Sequence, residues 1–146
     1  MGLWGRASGK WYRIREYYYN SRKVGRQLTD EEYYAELEKL AGDLPIRAVI
    51  VDPSAASFIE VIRRHGRFYV EKASNSVLDG IRDVATRLQS GDIFICSCCT
   101  DCIREFGLYR WDEKAPMDRP IKENDHAMDE VRYFVHKVFA PEIFSF

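Results

Sequence analysis

The chain opens with an alternation of side chains that is typical of β-strands. Residues 10–19 are rich in aromatic and β-branched residues, and one of their two alternating faces is more polar than the other. Residues 1–5 have the character of a shorter strand, and the small residues at 7–9 suit a turn. The pattern therefore predicts an antiparallel hairpin at the start of the chain.

Three short apolar runs predict further strands. Residues 46–51 are almost continuously apolar, which is typical of a strand buried on both faces at a central position of an α/β sheet. Residues 67–71 and 92–96 predict two more strands. Because helical segments separate these runs, we expect parallel pairing among them and antiparallel pairing in the hairpin. The fold class predicted is α/β, with a mixed sheet and flanking helices.

Helical spacing and capping signals place the helices. Thr29 followed by Glu32 is a capping box, and Gly42 is a stop signal at the end of that helix. The other predicted helices are one capped by Ser54, one capped by Asn75 and ended by Gly91, a short one at about 99–108, and one at about 125–139 capped by Asn124.

The composition is that of an ordinary globular domain, with 46% hydrophobic and 31% charged residues among 146. No apolar run approaches the roughly 20 residues that span a bilayer, and no apolar segment of signal-peptide type begins the chain. We therefore expect a soluble, cytoplasmic protein. The net charge of −1 neither indicates nor excludes nucleic-acid binding, because a metal-holding carboxylate cluster can offset a basic groove.

Asp52 is the first candidate for chemistry, because it follows the apolar run 46–51 directly. Open α/β sheets bind ligands at the carboxyl ends of their strands. The alternative is that Asp52 only begins a turn with Pro53, since Asp-Pro is a common turn pair.

The second candidate is the start of the last predicted helix. Asp125 and Asp129 are four residues apart and His126 and Asp129 three apart, so they share a helical face. Two like charges on one face disfavour a helix unless a cation lies between them, and such ligands suit Mg²⁺ or Mn²⁺. The alternative for Asp125 is a favourable interaction with the helix amino terminus.

Four segments, in this order, resemble the nuclease domain of phage terminase large subunits: KWYRIREYYY, IVDPSAASFI, SNSVLDGIRDVATRLQSGDIFI and LYRWDEKAPMDRPIKENDHAMDEVRYF. The resemblance covers nearly the whole chain. Its most specific part runs from Tyr109 to Lys114 and continues through NDHAMD to Arg132 and Tyr133.

The resemblance implies a ribonuclease H-like fold and an endonuclease that cuts concatemeric phage DNA during genome packaging. It implies two-metal phosphodiester hydrolysis with Mg²⁺ or Mn²⁺, and double-stranded DNA, the terminase small subunit and the portal protein as partners. Carried over by motif, Asp52, Asp129 and His126 are the implied catalytic residues. The implied metal ligands are these three and Asp125, which is the weaker match.

The chain also departs from the family pattern. The family's first strand and its aspartate have no counterpart before the hairpin, so we read residues 1–146 as an N-terminally truncated terminase-type nuclease domain. No Walker-type glycine motif is present in the sequence. The alternative to an active nuclease is an inactive terminase remnant, or one half of a split terminase, that retains the fold and the DNA or portal contacts.

The remaining polar features have two interpretations each. Lys114, Arg119 and Lys122 lead into the last helix, either to meet DNA phosphates or as an ordinary exposed loop. The four cysteines between residues 96 and 102 favour idle thiols over a zinc site, because four thiols in seven residues surround one ion poorly. Glu16 reads as a solvated strand residue and Glu105 as a surface or loop residue.

Overall fold

The computed structural model describes residues 1–140, which contain five strands and six helices. The strands are β1 (Gly2–Ala7), β2 (Lys10–Glu16), β3 (Val49–Val51), β4 (Val70–Lys72) and β5 (Ile93–Ile95). The helices are α1 (Ser21–Val24), α2 (Asp30–Ala41), α3 (Ala56–His65), α4 (Val77–Gln89), α5 (Thr100–Leu108) and α6 (His126–Val138). The predicted order of elements is confirmed, with the four-residue helix α1 as an addition. None of the helices described is long and apolar enough to cross a membrane.

The strands form two small sheets. One has the order β1–β2–β5, with β1 antiparallel and β5 parallel to β2, and the other consists of the parallel pair β3–β4. The prediction of an α/β fold with a mixed sheet, flanking helices and an amino-terminal hairpin is confirmed. The central position predicted for 46–51 is wrong, because β3 contains only its last three residues and pairs with β4 alone.

Helices rather than neighbouring strands account for the apolar character of β3. Val49 and Val51 join a core cluster that α2 and α3 supply with Tyr34, Leu37 and Ile62. Ile50, on the opposite face, packs against a second cluster. Hydrophobic burial is not directional, so an apolar run does not distinguish cover by helices from a position between two strands.

The second core cluster lies between α6 and the three-stranded sheet. Val131 and Val135 of α6 are fully or almost fully buried beside Ile93 of β5. The ring of Phe134 stacks on Trp4 with the ring centroids 4.1 Å apart, and Trp11 meets Phe134 edge to face at 5.2 Å. One face of α6 therefore packs against the three-stranded sheet that contains the hairpin.

A buried ion cluster joins the same elements. Arg13 is 1% exposed, and its guanidinium donates to Glu16 at 2.6 Å and to Glu130 of α6 at 3.0 Å. Trp4 Nε1 also donates to Glu130, at 2.8 Å. The two carboxylates keep the pKa of Arg13 above its usual value even though burial alone would lower it.

Two buried glutamate side chains, Glu16 and Glu105, cap the amino termini of helices to which they do not belong. Glu16 accepts backbone N–H groups of Asp101 at 2.7 Å and Cys102 at 3.2 Å, in the first turn of α5. Glu105, which is 0% exposed, accepts the N–H of Ala127 in the first turn of α6 at 2.9 and 3.0 Å. A carboxylate there satisfies free donors and complements the helix dipole. The predictions of a solvated Glu16 and a surface Glu105 are therefore wrong.

The capping predictions had mixed outcomes. The Thr29–Glu32 capping box and the Gly42 stop of α2 are confirmed. The N-cap residues of α3, α4 and α6 are Ala55, Ser76 and Asp125, each one position after the residue predicted. None of these three makes a side-chain capping bond, so the sequence signal for a cap was misleading there.

A glycine sets the approach of α4 to α6. A Cβ added at Gly80 would clash with Cγ of Arg132 and lie 2.7 Å from its Cδ, in the part of that side chain nearest its backbone. We expect Gly80→Ala to lower the free energy of unfolding by about 1–3 kcal/mol, because neither helix can yield without disturbing the core.

Gly107 is the matched control, since it is also helical and a Cβ there would meet nothing within 4 Å. Gly107→Ala should leave stability unchanged or raise it by about 0.5–1 kcal/mol. Urea unfolding followed by circular dichroism measures both variants. Equal effects of the two substitutions would contradict the packing argument.

Candidate active site

Asp52 lies immediately after β3 and has partners on both carboxylate oxygens. Oδ1 accepts the backbone N–H of Ser54 at 2.9 Å and its hydroxyl at 2.8 Å. Oδ2 accepts the hydroxyl of Tyr133, on α6, at 2.9 Å. The side chain of Ser54, predicted to cap a helix, instead bonds Asp52. Asp52 therefore both begins a turn and lies at the end of a strand. The turn holds its carboxylate in place at the carboxyl end of β3.

These bonds favour the ionised form of Asp52. Burial alone would raise its pKa, but the bonds from Ser54 and Tyr133 and the positive charge of Arg132 outweigh it. The pKa of Asp52 therefore lies below its usual value, and the group is a carboxylate at neutral pH.

Asp129 is held by an ion pair on its own helix. Arg132 Nη2 donates to Asp129 Oδ1 at 3.0 Å, and Arg132 Nη1 donates to the carbonyl of Ser76 at 3.3 Å. The Arg132 side chain is 4% exposed and that of Asp129 is 25% exposed. The carboxylate of Asp129 therefore keeps access to solvent on one side while its counter-ion is buried on the other.

Tyr133 lies within electrostatic reach of both acids. Its pKa is raised to about 12 by burial, by the bond to Asp52 and by the negative charges of Asp129 and Asp52. The pKa of Tyr109 is likewise raised to about 12, by burial and by the charge of Asp129. The structure thus places Asp52 and Asp129, far apart in sequence, beside the same tyrosine, Tyr133, and we call these two residues the acid pair.

Asp125 and His126 lie one turn earlier on α6 and have other surroundings. Asp125 is 8% exposed, and its carbonyl accepts the Asp129 N–H at 2.7 Å. His126 meets the ring of Tyr18 edge to face, with the ring centroids 6.1 Å apart. Within residues 1–140, no group of three or more His, Cys, Asp or Glu side chains has an arrangement that could hold a metal ion.

The candidate DNA-binding cations lie along the segment between α5 and α6. Arg119 and Lys122 line a cleft of about 890 Å³ that the first turn of α4 closes on the other side. Arg119 pairs with Asp112 at 3.1 Å, and Arg82 of α4 also lines the cleft. Ser76 lines the cleft, and its carbonyl accepts from Arg132, the counter-ion of Asp129. Lys114 does not line the cleft.

The cysteines are free thiols in the part of the chain described. Cys98 and Cys99 donate to the carbonyls of Ile14 and Arg13 at 3.2 and 3.3 Å. Burial raises the pKa of Cys99 to about 11 and that of Cys102 to about 12, so both stay protonated at neutral pH. The interpretation of these cysteines as idle thiols stays a prediction.

Arg132, Tyr133 and Ser54 are site residues to which the sequence pattern assigned no such role. Arg132 and Tyr133 follow Asp129 by three and four residues, which places all three side chains on one helical face. That spacing alone could have predicted that Arg132 and Tyr133 lie beside Asp129. The bond of Tyr133 to Asp52, 81 residues away, had no local signature.

Comparison with known proteins gives the class of protein that this arrangement represents. No family model matches the chain. The large terminase of a thermophilic bacteriophage is 49% identical over 94% of this chain, with a TM-score of 0.89. In its complex with ADP, the same protein matches 96% of the chain at 48% identity, with a TM-score of 0.92. The terminase large subunit of Escherichia phage T5 is 25% identical over 133 residues, which is 87% of this chain.

The resemblance to phage terminase large subunits is therefore confirmed in both sequence and fold. It concerns part of those proteins, since the chain spans 36% of the thermophilic-phage terminase and 29% of the T5 protein. This chain is therefore similar in sequence and fold to part of the large terminase of the thermophilic phage.

The bond between Tyr133 and Asp52 generates a prediction. Tyr133→Phe should raise the pKa of Asp52, because one of the bonds that favour its carboxylate is lost. A lowered carboxyl pKa stabilises the fold above the unfolded-state pKa, and this stability is lost as pH falls through the folded-state pKa. The variant should therefore be less stable by about 1 kcal/mol at pH 7, and the difference should shrink in acid.

Carboxyl NMR titration and urea unfolding at neutral and acidic pH measure this effect. Tyr69→Phe is the control, at a tyrosine that is 69% exposed. A stability difference for Tyr133→Phe that stays constant from neutral pH into acid would contradict the assigned role.

Proposed function

We propose that this chain is a metal-dependent endonuclease domain that cuts concatemeric DNA during phage genome packaging. The observation that carries the proposal is the position of Asp52 and Asp129 beside the same tyrosine, Tyr133. One is fixed at a strand end and the other on a core helix, and the carboxylate of Asp129 keeps partial exposure. The confirmed likeness to phage large terminases supports the packaging role.

A Mg²⁺ or Mn²⁺ ion fits this pair. Mg²⁺ is commonly held by one or two protein carboxylates, with waters and substrate phosphates completing its shell. Asp52 and Asp129 would supply the carboxylates, and the ion would stabilise charge on the phosphodiester. Ser54 and Tyr133 would keep the carboxylate of Asp52 ionised and oriented. The resemblance also implies Asp125 and His126 as ligands in a two-ion mechanism, with His126 orienting a water or the leaving group. This role would require both side chains to approach the acid pair, because residues 1–140 assemble no group of three or more metal-ligating side chains.

Double-stranded DNA is the proposed substrate. We propose that the DNA backbone enters the cleft lined by Arg119 and Lys122, whose lining residue Ser76 accepts from Arg132, the counter-ion of Asp129. Lys114 does not line the cleft and would contact DNA outside it. By resemblance, we propose the terminase small subunit and the portal protein as protein partners.

One observation favours the alternative of a chain that needs a further acidic residue. The described residues bring only two carboxylates to the site, and Asp129 already has a cationic partner. An inactive terminase domain, or one completed by another polypeptide, would retain this fold and the DNA contacts without turnover.

Plasmid nicking tests the proposal. With Mn²⁺, the purified chain should nick supercoiled DNA, and EDTA should abolish nicking. Asp52→Asn and Asp129→Asn should each lower the rate at least a hundredfold, more than the roughly 10–100-fold typical of residues that only support a metal ligand. Glu113→Gln, in an exposed part of the loop, is the control and should cut at the wild-type rate.

Nicking by Asp129→Asn at the wild-type rate would overturn the assignment of the site. A folded wild-type chain that does not nick would favour the inactive or incomplete domain.

Salt dependence tests the DNA cleft. If Lys122 neutralises one phosphate, Lys122→Gln should reduce the slope of log affinity against log salt concentration by about 0.9. The affinity loss should be similar for DNA of any sequence. Lys23→Gln, at an exposed lysine of α1, is the control and should leave the slope unchanged. Fluorescence anisotropy in EDTA measures binding without cleavage. An unchanged slope for Lys122→Gln would remove this residue from the DNA path.

A further inference from the structure

Arg132 is a buried cation with unused hydrogen-bonding capacity. The residue is 3% exposed, and its Nε finds no acceptor among the residues described. An unsatisfied buried donor costs about 1–3 kcal/mol, and more on a charged group. Burial of Arg132 is thus unfavourable by itself, so the surrounding groups must offset its cost.

The surroundings are anionic. Nη2 of Arg132 pairs with Asp129 at 3.0 Å, and the positive charge of Arg132 also lowers the pKa of Asp52. The guanidinium lies over the Tyr133 ring, 4.8 Å from its centroid. Two carboxylates brought together without a cation would repel each other. Arg132 supplies that cation.

The stem of Arg132 fixes the position of its charge. Its Cγ and Cδ fill the space beside Gly80, and Nη1 donates to the carbonyl of Ser76. The packing of α4 on α6 therefore holds the stem of Arg132 in place and keeps its positive charge beside Asp129 until an ion binds. Displacement by a divalent ion would move the guanidinium end away from Asp129 Oδ1 while the stem stays packed against Gly80.

We propose that Arg132 is the resident counter-cation of the Asp52–Asp129 pair, and that a divalent metal ion binds by displacing it from Asp129. Arg132 is thus a positioning residue that holds the acids together before the ion binds and weakens the affinity for that ion. This inference rests on the proposed function, because it takes Asp129 as a metal ligand.

Metal binding to the purified chain tests the inference without any activity measurement. Mn²⁺ is titrated and followed by electron paramagnetic resonance. Arg132→Met keeps the stem against Gly80 and removes the charge, so Asp129 loses its competitor and the Kd should fall about tenfold. Arg132→Lys retains the charge and should stay within about threefold of wild type. A residue with only a packing role would change the Kd in the opposite direction when lost, because a loosened site binds more weakly.

A second measurement covers the case in which Arg132→Met does not fold. In the wild-type chain, Mg²⁺ should shift the NMR signal of the Arg132 Nε–H with the same midpoint as metal binding. The Nε–H of Arg13, paired with Glu130 at 3.0 Å away from the acid pair, is the internal control and should not move.

The outcomes separate the two proposals. If the wild-type chain binds no Mn²⁺, or Asp129→Asn binds it as well as wild type does, the proposed function fails. If Asp129→Asn weakens binding while Arg132→Met does not tighten it, and Mg²⁺ leaves the Arg132 signal unmoved, only the role of Arg132 is overturned.

Discussion

The guanidinium of Arg13 is the contact on which the arrangement of the sheet, α5 and α6 depends. It is buried between Glu16 and Glu130, and Glu16 in turn accepts the free N–H groups that begin α5. A buried charge is tolerated only when it is paired and hydrogen-bonded, so these positions are mutually dependent. Glu105 lies in α5 itself, and its carboxylate accepts the backbone N–H of Ala127 in the first turn of α6. Two buried carboxylates thus determine where the two last helices start.

Helix α6 has one face in the hydrophobic core and another at the candidate site. Val131, Phe134 and Val135 are buried against the hairpin sheet. Asp129, Arg132 and Tyr133 face the other way, toward Asp52 and the first turn of α4. Any change that shifts the core face of α6 therefore also shifts the acid pair. The buried core face of α6 therefore also fixes the position of the partly exposed Asp129 in the first turn of that helix, which has no side-chain cap.

The acid pair carries two negative charges, and Arg132 offsets one of them before any ion binds. Asp52 is held by neutral donors, which keep it ionised, whereas Asp129 is held by a cation. The two carboxylates are therefore not equivalent toward an incoming metal ion. The hydroxyl groups on Asp52 can keep their bonds while that carboxylate coordinates an ion. The guanidinium of Arg132 repels a metal ion that approaches Asp129.

The sequence by itself determined the order of elements, the hairpin and the capping box of α2, and it suggested Asp52 and Asp129 as candidates, because local periodicity and turn chemistry carry those signals. Tertiary structure alone decided that 46–51 provides an edge strand covered by helices, since burial is not directional. It alone decided that Glu16 and Glu105 cap helices, because their partners lie 85 and 22 residues away. It also gave Asp52 its partner on α6 and buried Arg132, the counter-cation that helical spacing places beside Asp129. A carboxylate's role is set by the donors around it, and chain folding brings those donors from segments that are distant in sequence.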